Sequence, residues 1–295
     1  MKLATILSKG SRYPCLVDCN GDLRDVSSII GSWYDTALPL SALNTLISDV
    51  NLTLLPKFND QEVQFLAPIQ PKQIISIGLN YRKHAQVAGL SLPKEPIISC
   101  KSIGSVCGPT DPVLIPTHAN HVDWEVELGV VIGETCQLLE SEQQAHNSIL
   151  GYCVANDFSD RQWLLEREGE WVKGKSFQSF CPLGPYVVTA DSFSYPLDLT
   201  LTCYVNGVLR QNGSTTDMVF TPAFLVHYVS QFMTLYPGDV ILTGSPDGIS
   251  LGNDNIPYLK PGDRVTTHIS QLGYQEQLCQ RYPQSEDILN EEYTI

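Results

Sequence analysis

Between Pro71 and Ile269 the chain is a succession of short, apolar, β-rich runs closed off from one another by proline and glycine. Ile74 to Ile77, Val122 to Ile132, Leu150 to Ala155, Tyr186 to Thr189, Leu199 to Val205, Val240 to Thr243 and Val265 to Ile269 all have strand character. They are too many and too closely spaced for a doubly wound parallel sheet, in which a helix separates each strand from the next. Asn206-Gly207 forms a hairpin turn, and Pro237-Gly238-Asp239 and Pro261-Gly262-Asp263 each place a turn just before a strand. Helical patterns are few: Tyr81 to Ala88, Ser141 to Ile149, Ser159 to Arg167, and Pro222 to Leu235. In the last, Phe224, Leu225, Tyr228, Phe232 and Leu235 form an apolar stripe. The expected fold class is α+β and β-dominated.

Residues 1–70 differ in character and are predicted to form a small N-terminal α/β domain, with residues 71–295 as the main domain. Leu3 to Leu7 and Cys15 to Asp18 read as strands, Asn20-Gly21 supplies a tight turn before Leu23 to Val26, and a short helix from Ser41 to Ser48 follows. The polar stretch from Lys57 to Gln61 reads as a connector.

Charge narrows the choice of partner. With 18 Lys and Arg against 32 Asp and Glu, the formal charge is −14 and no basic block is present to track a phosphate backbone, so nucleic acid is not expected. An anionic substrate would need a local source of positive charge, either a metal ion or a few placed Lys and Arg side chains. Nine cysteines without a C-x-x-C pair suit a reducing compartment. The apolar stretch at the N-terminus is too short for a signal peptide, and no window approaches the ~20 apolar residues of a membrane span. A cytoplasmic protein without membrane contact is the expectation.

The segment Val122-Asp123-Trp124-Glu125-Val126-Glu127-Leu128-Gly129-Val130-Val131-Ile132 concentrates the chemistry. In a strand, alternate side chains share a face, so Asp123, Glu125 and Glu127 point one way and Trp124, Val126, Leu128 and Val130 the other. A strand entering the interior should not carry adjacent like charges unless a cation compensates them. Asp157 follows Glu127 by 30 residues, at the end of the apolar run from Gly151 to Ala155. Alone it would read equally well as a helix-capping residue. Together, three hard oxygen ligands describe a Mg²⁺-type site, at which Mn²⁺ or Ca²⁺ would also fit.

Six motifs resemble the fumarylacetoacetate hydrolase family, in the family's order. They are Ile77-Gly78-Leu79-Asn80-Tyr81-Arg82-Lys83-His84, Asp123-Trp124-Glu125-Val126-Glu127-Leu128, Ala155-Asn156-Asp157, Lys173-Gly174-Lys175-Ser176-Phe177, Cys181-Pro182-Leu183-Gly184-Pro185 and Pro237 to Pro246. Gln211-Asn212-Gly213-Ser214-Thr215, with Trp171 ahead of Lys173, is most similar to the branch of ureidoglycolate lyases, diketo-deoxy-sugar-acid hydrolases and 2-hydroxyhepta-2,4-diene-1,7-dioate isomerases. The resemblance implies a mixed β-roll catalytic domain, a homodimer, and a divalent cation on Glu125, Glu127 and Asp157 that chelates a small 2-oxo carboxylic acid. It implies that His84, on a helix closing over the site as a lid, is the general base. Lys175 and Arg161 would contact the substrate or a developing oxyanion, and Tyr81, Arg82, Lys101 and Ser245 are further substrate-binding candidates.

Two departures from the family stand out. Relatives carry a Glu three residues after the base His, where this chain has Val87, and many carry a Gln seven residues after the metal-binding Asp, where it has Leu164. The expected activity is metal-dependent hydrolysis of a C–C bond in an acylpyruvate-like 2,4-dioxo acid. Isomerase, lyase or decarboxylase chemistry on a 2-oxo acid, or metal binding with weakened catalysis, are the alternatives that Val87 and Leu164 raise.

Overall fold

The computed structural model describes residues 1–34, 38–59, 62–253 and 255–283. Two sheets dominate. The larger has ten strands, running in the order Leu23–Asp25, Ser11–Val17, Lys2–Ser8, Val187–Thr189, Ile149–Asn156, Val126–Ile132, Val240–Leu242, Ile74–Gly78 and Ile97–Lys101, with Gln64–Phe65 also paired to Lys2–Ser8. Most pairs are antiparallel, but Val240–Leu242 runs parallel to Ile74–Gly78, so the sheet is mixed. The smaller has five strands, ordered Val208–Ser214, Thr200–Val205, Arg264–Ile269, Gly273–Arg281 and Val113–Ile115. The architecture is the β-dominated α+β class expected from the spacing of the apolar runs.

Strand parity explains why the central strands are apolar throughout rather than alternating. Val126, Leu128, Val130, Tyr152, Val154 and Ile241 face the small sheet, where they share one core with Leu201, Cys203, Val265 and Ile269. Their neighbours of opposite parity, Val131, Cys153, Ala155, Val240 and Leu242, pack on the other face against Val26, Ile30, Trp33 and Leu43. A sheet covered on both faces leaves no position for a solvated side chain. Gly151 shows how tight the arrangement is, because a Cβ there would lie 2.2 Å from the Val188 carbonyl oxygen of the paired strand. Gly151→Ala is therefore expected to destabilise the fold by about 1–3 kcal/mol through forced strand separation, read as a lowered midpoint in urea unfolding.

Residues 1–70 do not own a separate sheet. Lys2–Ser8 pairs with Val187–Thr189, and Leu3 and Leu16 belong to the same core as Val131 and Val240. The helix Leu40–Ile47 lies close to its expected position. The helices Arg161–Leu165 and Pro222–Ser230 are shorter than the sequence suggested. The latter also buries a different face: Pro222, Leu225, Val226 and Val229 turn inward, while Phe224, Tyr228 and Phe232 form an outer aromatic row with Phe232 exposed. All nine cysteines are free thiols, and no helix among the described residues is long and apolar enough to cross a membrane.

Candidate active site

The expected strand from Val122 to Ile132 is interrupted, forming Val122–Asp123 and then Val126–Ile132. The interruption separates the fates of its carboxylates. Glu127 lies opposite Ala155 in the antiparallel ladder, and the Asp157 amide donates to the Glu125 carbonyl at 2.9 Å one step beyond. Glu125, Glu127 and Asp157 thereby converge, with one oxygen from each lying within 4.8 Å of the others. Asp123 does not join them. Its carboxylate accepts from the Ser250 and Leu251 amides at 2.9 and 3.0 Å and from Arg161 Nε at 2.9 Å, so it pins the 248–251 segment instead.

Three buried cations serve these carboxylates. Arg161 bridges Asp123 and Glu125, with Nη2 donating to Glu125 at 2.9 Å. Lys175 donates to Glu125 at 3.1 Å, to Ser159 Oγ at 3.0 Å and to Asp157. An ammonium has three hydrogens, so none is left for the oxyanion role suggested by the sequence. Lys101 is fully buried and donates to Asp157 and to the Phe158 carbonyl. Ser76 Oγ donates to Asp157 at 2.7 Å. Burial opposes the ionised form of Asp157, but Lys101 and Lys175 outweigh it and hold the carboxyl below its ordinary range. Burial likewise opposes ionisation of Glu125, and Arg161 and Lys175 outweigh it there.

Glu127 is treated differently. Its side chain accepts from the Gly244 amide at 2.6 Å, and no Lys or Arg pairs with it among the described residues. Burial, then the charges of Asp157 and Glu125, push its carboxyl well above the ordinary range. A buried carboxylate left short of positive charge beside two others is the condition a divalent ion relieves. The all-oxygen donor set suits Mg²⁺, Mn²⁺ or Ca²⁺, so the residues fit the expected metal.

His84 sits in the short helix Arg82–Val87. Its Nδ1 lies 3.0 Å from the Ser245 carbonyl, an acceptor that fixes the hydrogen on Nδ1 and leaves Nε2 as a lone-pair site. His84 lines a cavity of about 340 Å³ together with Glu125, Glu127, Arg161, Lys175 and Ser245. Ser245 Oγ is buried and has no hydrogen-bond partner among the described residues.

Other candidates lie elsewhere. Tyr81 is completely buried and Arg82 donates to the Met218 carbonyl, so both anchor the start of the His84 helix rather than line the cavity. Val87, which stands where relatives carry a Glu, is 68% exposed and lies outside the lining, so it does not face the site. Leu164, by contrast, is buried in the cavity wall. Several positioning groups lie outside the residues that the sequence singles out. Asn156 Oδ1 accepts from the Glu125 amide at 2.9 Å, and Gln211 joins the Val126 amide to the Pro246 carbonyl. Both fall inside motifs quoted above, which was the available signal. Ser76 and Ser159 carried none.

A family model described as fumarylacetoacetate (FAA) hydrolase C-terminal matches residues 73–278. A 2,4-didehydro-3-deoxy-L-rhamnonate hydrolase of Sphingomonas sp. (strain SKA58) is 39% identical over 279 residues, covering 94% of this chain and 95% of that one. Among solved structures, a 5-carboxymethyl-2-hydroxymuconate delta-isomerase from Mycobacterium smegmatis aligns at a TM-score of 0.78 and 30% identity, covering 96% of this chain and 100% of that one. The maleylpyruvate hydrolase of Sphingobium sp. SYK-6, in complex with manganese(II) and pyruvate, aligns at 0.79 and 26%, with the same coverage.

Proposed function

The chain belongs to the fumarylacetoacetate hydrolase family, and on that premise we propose that it hydrolyses a carbon–carbon bond in a small 2,4-dioxo carboxylic acid of the acylpyruvate type. The observation that carries the proposal is His84. Its Nδ1 is held by the Ser245 carbonyl, and the ring lines the same cavity as Glu125 and Glu127. The proposed base and two of the carboxylates proposed to hold a cation thus line one cavity. The pyruvate bound to the manganese-containing relative is the fragment that this cleavage would release.

Glu125, Glu127 and Asp157 would hold the divalent ion, Mg²⁺ being proposed, which when bound supplies positive charge to the 2-oxo carboxylate end of the substrate and to the enolate developing there. His84 Nε2 takes a proton from water as the water oxygen bonds to C4. The C3–C4 bond then breaks, its electron pair passing to C3 and the C2 oxygen. The proton on His84 returns to C3, so water and acylpyruvate become pyruvate and a carboxylic acid. Ser245 Oγ is the free donor available for the oxygen of C4 during addition. Arg161 and Lys175 orient Glu125 and Asp157 rather than act on the substrate.

Turnover of acetylpyruvate in H₂¹⁸O tests the reaction: equimolar pyruvate and singly labelled acetate are expected. Consumption without acetate would identify an isomerase or decarboxylase, and no consumption of acylpyruvates would refute the proposal. Glu127→Gln is expected to weaken Mg²⁺ binding in calorimetry by at least the roughly 10- to 100-fold that loss of a supporting group costs. Unchanged affinity would show that the ion site is misassigned. Cytoplasmic location and homodimeric assembly belong to the same proposal, the free thiols supporting the first.

A further inference from the structure

The polar part of the cavity lining is one connected patch. Glu125, Arg161 and Lys175 are joined by direct ion pairs. Glu127 accepts from the Gly244 amide, and the next residue, Ser245, holds His84 through its carbonyl. The rest of the lining is hydrocarbon or aromatic, with Leu79, Leu90, Ile97, Leu164, Trp171 and Leu251 as its main walls. Trp171 is wedged against the backbone of Gly78, where a Cβ would fall 2.6 Å from its ring.

We infer that this apolar wall selects an uncharged, non-hydroxylated tail on the substrate, so that among 2,4-dioxo acids those with alkyl tails are preferred to those with a second carboxylate or tail hydroxyls, and unreactive 2-oxo acids report the same preference by binding. The inference rests on the proposed chelation of a 2-oxo acid at Glu125, Glu127 and Asp157.

A tail carboxylate would lose its water and meet no free cation among the described lining residues. Arg161 is committed to Asp123 and Glu125, and Lys175 to Asp157, Glu125 and Ser159. An unpaired charge in such a place is strongly disfavoured. Tail hydroxyls would lose hydrogen bonds for the same reason. Each methylene laid against the wall, in contrast, should tighten binding by about fourfold.

Calorimetric titration with saturating Mg²⁺ tests this by binding alone, using 2-oxohexanoate and 2-oxoadipate, which match in chain length and differ in the terminal carboxylate. The hexanoate is expected to bind at least about tenfold tighter, and affinity should rise along the series 2-oxobutanoate, 2-oxopentanoate, 2-oxohexanoate. Leu165→Arg, at a rim position that is 47% exposed and tolerant of a long side chain, should narrow or reverse the preference by giving the tail carboxylate a partner. Equal or tighter binding of 2-oxoadipate by the unmodified protein would overturn the inference. So would no measurable binding of 2-oxohexanoate, or a preference that Leu165→Arg leaves unchanged. Cleavage is not required in this experiment, so failure to hydrolyse acetylpyruvate would refute the reaction and leave tail selection standing.

Discussion

His84→Asn is expected to lower kcat for acylpyruvate hydrolysis by about 10²- to 10⁴-fold, the range a positioned acid–base group contributes, while Mg²⁺ affinity stays within about twofold. The effect should fall on kcat because the role proposed for His84 is on the water, and its Nδ1 is held by the Ser245 carbonyl rather than by any of the three carboxylates proposed to hold the ion. Release of pyruvate, followed through a coupled reductase, gives the rate, and calorimetry gives the affinity. A variant retaining more than a tenth of the original rate would mean that another group activates the water. A loss of metal binding would mean that His84 supports the carboxylates rather than the reaction.

Asp157→Ala carries the largest expected effect on stability. Lys101 is fully buried, Lys175 nearly so, and both use Asp157 as a counter-ion. Removing one member of a buried charge cluster leaves the others uncompensated, at a cost of about 3–5 kcal/mol. Denaturant unfolding with EDTA present on both proteins removes any contribution from bound metal. Adding Lys101→Met to the Ala variant should restore part of the loss, because the two substitutions share one interaction. Strict additivity would show that Lys101 has other compensation. The sign with pH follows from the direction of the shift. Asp157 is held below its ordinary 3.8 despite burial, so its contribution is complete above about pH 4 and is lost as the pH falls through the lowered value. The Ala variant should lack that part of the acid dependence.

Period-two patterning made part of this site legible. Glu127 takes its face from the strand Val126–Ile132, and the apolar run ending at Asp157 marks the partner strand; Glu125 stands just before that strand, beside Asp157 through the bond from the Asp157 amide to its carbonyl. The same rule failed for Asp123, since the ladder breaks between Asp123 and Val126 and the amides of Ser250 and Leu251 capture its carboxylate. Periodicity could not choose the buried side of the Pro222–Ser230 helix, because both sides are rich in apolar residues and only the packed neighbours decide. Nor does a sequence record where a long cation reaches. Lys101, Arg161 and Lys175 each look like free charges, and all three are spent on carboxylates many residues away. The N-terminal strands were visible as strands, but not their union with the main sheet, since an unpaired strand edge looks alike whether or not another strand completes it.

The division between ladder and wall has a consequence for how such a protein changes over time. Glu127 is set by backbone pairing within a sheet buried on both faces, with Glu125 and Asp157 one step beyond it, and any shift there disturbs two cores at once. Apart from Ile97, at the start of a strand that ends the large sheet, the residues proposed to meet the tail stand on short helices and loops: Leu90 beyond the His84 helix, Leu164 and Leu165 on another, Trp171 and Leu251 between elements. Single substitutions among them can redirect the protein toward new compounds without retuning the reacting end. A lineage built this way keeps one reaction and diversifies its diet.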